Sequence, residues 1–395
     1  MKWEKVKLGE LYEVHNGLSK AGKFFGEGYP FLTFSTVFNN YFIPKQITDL
    51  VQSTEKEQES YSIRRGDVFV TRTSETSDEL GMSCVALKDY PMATYNGFTK
   101  RMRPITNRVF PEYIGYYMRL PSFRGEFRAF STMTTRASLR NEDLLGLEVK
   151  LPSIEIQKQI ADILSAYDDL IENNQKQIKL LEEVAQRLYK EWFVNLRFPG
   201  HENTKIVDGV PEGWNEKTLS QVANVIMGQS PKSEFYNSEK KGLPFHQGVG
   251  SYGVRFVMDD IYSTSYTRIA EPNSILFSVR APVGRLNVTK NKVVIGRGLA
   301  AINQTDGCQS YLYYLLKNKF FKDNIVGNGS IFASVSKDEL LNQKFLIPER
   351  NLMMQFEKIV SQMDKQIENL DSKNKKLIEA RDRLLPKLMS GEVEV

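Results

Sequence analysis

Only two cysteines, Cys84 and Cys308, occur in 395 residues, far apart and outside any metal-ligand spacing. That excludes a disulfide framework and suits a reducing compartment. Histidine is almost as scarce: His15, His201 and His246 each stand alone. No HExxH or paired CxxC occurs, so metal-assisted hydrolysis has no support. A GxSxG elbow and a GxxxxGK(S/T) loop are both missing, which argues against nucleophile-elbow catalysis and ATP use. The Asn/Asp-Pro-Pro-aromatic loop that base methylation would need is also missing. Glu148-Val149-Lys150 and Glu239-Lys240-Lys241 fit half of a nuclease site but have no convincing partner aspartate. The glycine-rich "HQGVGSYG" (246–253) does not open a clear helix and is a weak cofactor loop. No apolar run approaches the roughly 18 residues that a membrane span requires. The opening "MKWEKVKLGE" carries charges where a signal peptide has its apolar core. The residues point to a chain that binds and does not catalyse.

What is present is repetition, and repeats decide the fold. "YDDLIENN" (167–174) returns 196 positions later as "MDKQIENL" (363–370). Extended without gaps, residues 151–188 lie over 347–384. Gln159/Gln355, Asp168/Asp364, Ile171/Ile367, Glu172/Glu368, Leu181/Leu377 and Arg187/Arg383 are among the identities. "ASLRNEDLLGLEV" (137–149) lies over "ASVSKDELLNQKF" (333–345), and "WEKVKLGELYEVHNG" (3–17) over "WNEKTLSQVANVIMG" (214–228), which sets Gly17 on Gly228. The chain is a tandem repeat of a unit of roughly 190 residues, a globular part followed by a helix.

The helices follow a heptad seam. Its positions in the first are Ile160, Ile163, Tyr167, Leu170, Asn174, Gln177, Leu181, Val184 and Leu188. In the second they are Phe356, Ile359, Met363, Gln366, Leu370, Lys373, Leu377, Ala380 and Leu384. Ile171, Ile178, Ile367 and Ile378 widen the stripes, which predicts more than one packing neighbour. Each helix is a rod of roughly 50–60 Å. An antiparallel pair is the expected arrangement; the alternative is that each helix caps only its own domain. The resulting expectation is an α+β chain. It has two mixed α/β globular domains in tandem pseudo-repeat, separated by two long helices packed as an antiparallel coiled coil. The expected boundaries are 1–150, a helix over 151–194, a Gly- and Pro-containing linker over 195–211, a second domain over 212–346 and a helix over 347–390. "GDVFVTRTS" (66–74) and "NSILFSVRAPVG" (273–284) read as short buried strands ending in basic, hydroxyl-rich turns. "PEYIGYYMRL" and "SYLYYLLKNKF" have helical spacing, and their tyrosines and leucines read as core.

Net charge is +5, and its placement says more than its size. Lys100 to Arg140 holds nine basic residues against Glu112 and Glu126, and Arg280 to Arg297 holds five and no acid. Such stretches favour polyanions, nucleic acid first; the other reading is a solvated face balanced by acids elsewhere. Candidate contacts to bases or phosphates are Arg72, Thr73, Ser74, Asn96, Lys100, Arg101 and Arg136 in the first half. In the second they are Arg280, Arg285, Lys290, Arg297 and Ser330. Arginine suits guanine, asparagine suits adenine, and hydroxyls suit phosphate.

Taken in order, "GDVFVTRTSE" (66–75), "LPSIEIQKQIADIL" (151–164), "RLYKEWF" (187–193), "VPEGWNEKTL" (210–219), "ILFSVRAPVG" (275–284) and "RLLPKLMSGEVEV" (383–395) resemble a specificity subunit of a type I restriction-modification system. The resemblance spans essentially the whole chain. It implies a cytoplasmic assembly on double-stranded DNA, with two modification subunits carrying S-adenosylmethionine and two restriction subunits using ATP and Mg. This chain itself would hold no cofactor or metal. It would read an asymmetric bipartite site, one half per globular part, with the helices setting the spacing and docking the modification subunits. A coiled-coil scaffold without nucleic-acid recognition is the competing reading. A fragment of a fused modification enzyme is a third, disfavoured by the missing methylation loop.

Overall fold

The computed structural model describes every residue except 1–2, 75–78, 130–136 and 321–333. It divides into two compact units, Met1–Asn174 with Ser372–Val395, and Gln175–Asp371. Two long helices, Ile154–Phe193 and Arg350–Ser390, each contribute one part to each unit.

The first unit opens with Glu4–Lys7, paired antiparallel with Glu148–Leu151. A four-stranded antiparallel sheet follows in the order Tyr12–Asn16, Thr99–Pro104, Val68–Thr71, Ser83–Val85. The run "VFV" shows why this sheet is central. Val68 and Val70 point into one core, which contains Ile160, Leu164, Leu385 and Leu388 of the long helices. Phe69 points the opposite way, into a second core with Leu32, Ile43 and Tyr95. The period of two along a strand thus serves two apolar layers, and an unbroken apolar run results. The second unit repeats this plan. Asn215–Thr218 pairs with Lys344–Ile347, and a four-stranded sheet takes the order Ala223–Met227, Leu299–Gln304, Ile275–Ser278, Leu286–Val288. Ile275 and Phe277 face the larger core while Leu276 faces a smaller one. A five-stranded sheet, with Leu243–His246 and Val293–Ile295 parallel within it, completes this unit.

The tyrosine-rich segments are core helices, Pro111–Tyr117 and Gln309–Phe320, and Tyr113, Tyr116, Tyr311 and Tyr314 are fully buried. Each begins against the long helix of its own unit. The backbone N–H of Phe110 donates to Gln157 Oε1 at 2.8 Å. Those of Ser310 and Tyr311 donate to the Glu357 carboxylate at 3.2 and 3.0 Å. A side chain from the following helix thereby supplies the acceptor that a helix start needs. Burial pushes the Glu357 carboxyl up, and the two N–H donors pull it partly back.

Within the first unit the long helices are antiparallel. Asn174 lies against Asn374, and six residues earlier Asp168 meets Arg381, seven residues later. The same acid has a second donor, Tyr116 Oη, at 2.5 Å. In the second unit the repeat-equivalent Asp364 takes Arg255 Nη2 at 2.7 Å, so its cation comes from the globular part. The helix ends are also equivalent. Tyr189, Trp192 and Phe193 join Trp214 and Phe356 in the larger core of the second unit, while Leu385, Leu388 and Met389 join the Val68 core of the first, beside Trp3. These are the residues of "RLYKEWF" and "RLLPKLM", 196 positions apart.

The expected seam is right at every second position and one residue off at the others. Ile160, Tyr167, Leu181, Leu188, Phe356, Met363, Leu370, Leu377 and Leu384 are buried or half-buried, as a seam requires. Leu170 is 52% exposed and Ile359 42% exposed, and Val184 is also exposed. Ile163 is only half-buried. The buried partners are Leu164, Ile171, Ile178 and Ala185 in one helix, and Val360, Ile367 and Asn374 in the other. Spacings of four then three, not three then four, turn the seam to the side that also faces the globular cores. The polar seam pair is therefore Asn174 with Asn374, at 2.8 Å and buried, and Lys373 is exposed.

This pair carries a prediction. Asn174→Leu should cost about 1–3 kcal/mol, because it strands the Asn374 amide in a buried site. The double variant Asn174→Leu, Asn374→Leu should regain that loss, with register less well specified. Urea denaturation of the three proteins measures both; a double variant no better than the single one would show that packing, not the amide pair, carries the effect.

Candidate nucleic-acid interface

In the first unit, one end of the four-stranded sheet gathers Asn16, Arg72 and the turn Asn96-Gly97-Phe98. The turn is built by its own residues. Asn96 Oδ1 accepts the N–H of Phe98 at 2.7 Å, and Asn96 O accepts both the N–H and the hydroxyl of Thr99, at 3.0 and 2.7 Å. Gly17 passes so close that a Cβ there would lie 2.0 Å from Asn96 O. A Cβ on Gly97 would lie 2.2 Å from Ser19 Oγ. Arg72 crosses beneath: its N–H donates to Phe98 O at 3.0 Å and its Nη1 to Asn16 Oδ1 at 3.3 Å.

The second unit builds the same crossing from other residues. Gly296-Arg297-Gly298 replaces the turn, Gly228 replaces Gly17, and a Cβ on Gly228 would lie 2.1 Å from Gly296 O. Val279 takes the place of Arg72, donating to Gly298 O at 2.9 Å. The Arg297 N–H donates to Ser230 Oγ at 3.2 Å, and that hydroxyl donates to Gln247 Oε1 at 2.7 Å. The Arg297 side chain is exposed. Arg280, also exposed, follows Val279 and bridges Ser334. A tight return follows: the Arg285 N–H donates to Ser278 Oγ at 2.8 Å, and Gly284 adopts φ +86, which favours glycine.

The candidate residues therefore separate. Arg72 and Asn96 meet at one sheet end of the first unit, and Arg280 and Arg297 at the matching end of the second, with Arg285 exposed on the return between strands. Asn96 spends its side-chain oxygen on its own turn. Lys100 and Arg101 are each only 5% exposed. Lys100 donates to Asn141 Oδ1, and burial, with Arg72 nearby, pushes its ammonium down. Arg101 donates to Ser62 O at 2.9 Å and lies over the Tyr95 ring. The strand sends these neighbours to opposite faces, and because the sheet is covered on both faces each is buried, against the expectation of surface contacts. Lys290 is likewise tied down, its Nζ 2.6 Å from Asp371 Oδ2 on the long helix of its unit. Arg136 and Ser330 lie outside the described residues, as do the side chains of Thr73 and Ser74. Phe98, Ser230 and Gln247 are not among the residues expected from the sequence; the Gly17/Gly228 match marks only the two crossings on which they lie.

Among the described residues no cluster of His, Cys, Asp and Glu could hold a metal ion. No described helix is long and apolar enough to cross a membrane.

The two units thus share one plan, and each ends in a turn with different side chains. The family model for the type I restriction modification DNA specificity domain matches residues 1–183 and again 211–380. The chain is 26% identical over 412 residues to the type I restriction enzyme MjaIX specificity subunit of Methanocaldococcus jannaschii, covering 100% of this chain and 94% of that protein. It is 24% identical over 474 residues to the HindI specificity subunit of Haemophilus influenzae, covering 99% of each. The crystal structure of a type I restriction-modification S subunit from M. genitalium shares the fold, with a TM-score of 0.58 at 17% identity, over 98% of this chain and 96% of that one. With both halves matched and nearly the whole length shared, the chain belongs to the type I restriction-modification DNA specificity family, whose role is to give such a system its DNA sequence specificity.

Proposed function

We propose that each globular part reads one half of an asymmetric, bipartite duplex site. The long helices act as an antiparallel coiled coil that sets the gap between half-sites, and their repeated faces dock two modification subunits. Two restriction subunits complete the endonuclease. S-adenosylmethionine, ATP and Mg belong to those partners, and this chain performs no chemistry of its own. The assembly works in the cytoplasm. Arg72, Arg280, Arg285 and Arg297 are the contacts to bases or phosphates, while Lys100, Arg101 and Lys290 support the scaffold.

The observation that carries this reading is the repeated sheet order, 12–16, 99–104, 68–71, 83–85 and its copy 223–227, 299–304, 275–278, 286–288, ending in non-identical turns. A tandem repeat supplies the two-fold character that duplex half-sites require, and divergence between copies permits an asymmetric target. The scaffold reading gives no reason for a crossing that is kept in both units while its side chains differ.

Methylome sequencing of cells that express the chain with its cognate modification subunit tests it. The expected result is a new motif of two unlike specific halves around a fixed non-specific gap. A contiguous motif, or none, would overturn the reading. In the same assembly Arg297→Ala should lose discrimination at one base pair by about 1–3 kcal/mol if it reads a base. It should lower the salt slope by about one if it meets a phosphate.

A further inference from the structure

The two crossings differ in one respect that bears on specificity. In each turn, the residues next to the crossing compete for the space that a side chain needs. In the second unit a Cβ on Gly298 would lie 2.5 Å from Gln247 O, so the position after Arg297 cannot carry a side chain. In the first unit the constraint falls one residue earlier, on Gly97, whose Cβ would meet Ser19 Oγ at 2.2 Å. The side chain that the crossing presents is therefore Arg297 in one unit and Phe98 in the other.

Phe98 is an unusual residue to leave in that place. The residue is 57% exposed, although both of its backbone groups are fixed, the N–H to Asn96 and the carbonyl to Arg72. A ring on so constrained a turn loses little freedom when it meets a partner. It has no donor or acceptor, so on a base edge it can distinguish only apolar features. The major groove offers one such feature, the C5 methyl group of thymine. The minor groove carries no methyl group.

We propose that Phe98 is a specificity-determining residue of the first unit, which recognises thymine by placing its ring against the C5 methyl group in the major groove. This rests on the reading that each globular part contacts one half-site. Arg297, at the equivalent crossing, uses the chemistry suited to guanine, so the two units read unlike bases from one backbone frame.

The test uses the complex assembled with its cognate modification subunit and duplexes carrying the bipartite motif. Each thymine of the motif is replaced in turn by deoxyuridine, which lacks only the methyl group, and binding is measured for wild type, Phe98→Ala and Phe98→Leu. The expected result is at least one position where deoxyuridine weakens wild type about three- to fivefold, the value of one buried methyl-sized group. At that position it should have no effect on Phe98→Ala. Phe98→Leu should keep part of the sensitivity, which separates contact from folding. Three results would overturn the proposal. The first is a duplex with no deoxyuridine-sensitive position. The second is a sensitivity that Phe98→Ala leaves intact. The third is a loss of affinity in Phe98→Ala that is the same for thymine and deoxyuridine, as an intercalating wedge would give. If wild type itself binds no bipartite motif, the two-reader function falls, and the Phe98 assignment falls with it.

Discussion

Replacing Arg255 by alanine should destabilise the second unit by about 3–5 kcal/mol, the scale of breaking a buried ion pair from one side. The guanidinium is buried. Its Nη2 lies 2.7 Å from Asp364 Oδ1, its Nη1 lies 3.6 Å from Glu182 Oε1, and its centre sits 3.4 Å over the Tyr313 ring. Burial alone would push the guanidinium pKa down. Tyr313, Asp364, Tyr314 and Glu182 together more than reverse that and hold the pKa above its ordinary value. Removing the cation takes the shared partner from both Asp364 and Glu182. The double replacement Arg255→Met, Asp364→Asn should be milder than Arg255→Ala alone, since it removes an acid with the cation and refills the volume. Trp192 and Trp214 both lie in the core of this unit, so tryptophan fluorescence in a urea titration reports mainly on it. A double variant as unstable as the sum of its two single changes would show that shape, and not uncompensated charge, dominates.

The largest functional change is expected from lengthening the helices. One heptad inserted after Gln175, matched by one after Asp371, keeps the seam in phase, because seven residues restore the four-then-three spacing. Each helix grows by about 10 Å, or about three base-pair steps. The doubly inserted protein should assemble and should methylate the same two half-sites across a gap longer by about that amount. A three-residue insertion should rotate Asn174 away from Asn374 and abolish assembly. Duplexes with graded gaps, methylated by the reconstituted complex, give the answer. An active double-insertion complex with an unchanged preferred gap would mean that the partner subunits set the spacing.

The repeat and the long helices were plain in the sequence because the signals are local and periodic: Asp168 over Asp364, Ile171 over Ile367, and a stripe in steps of three and four. The exact face was not. A stripe widened by Ile171 and Ile178 has two edges, and only contact with the globular cores decides that Leu164 and Ile171 turn inward while Ile163 sits half-buried and Leu170 turns out. The strands "VFV" and "ILF" were legible as buried runs for the same reason, since both faces carry apolar residues. The interface was less legible. Lys100 and Arg101 lie in a basic stretch, but their strand is covered on both faces, and charge counted along the chain cannot register that. Phe98 was not legible because its importance depends on steric limits at Gly97 and Gly298, which exist only once Ser19 and Gln247 have been folded against the turns.

The unlike origins of the cations that meet Asp168 and Asp364 bear on how such chains can exchange parts. The first globular part brings a tyrosine hydroxyl to its acid, and the arginine comes from the facing helix, as Arg381. The position equivalent to Arg381 in the other helix is Ala185, fully buried, so the second globular part must bring its own cation, Arg255. Recombination between the halves is therefore directional. A copy of the second part grafted onto the first frame would arrive with one cation too many, and partial exposure of the site could relieve it. A copy of the first part grafted onto the second frame would leave Asp364 and Glu182 without Arg255, and with Ala185 at the position equivalent to Arg381. Exchange in that direction would need a compensating arginine at position 185 before it could fold as well as its parent.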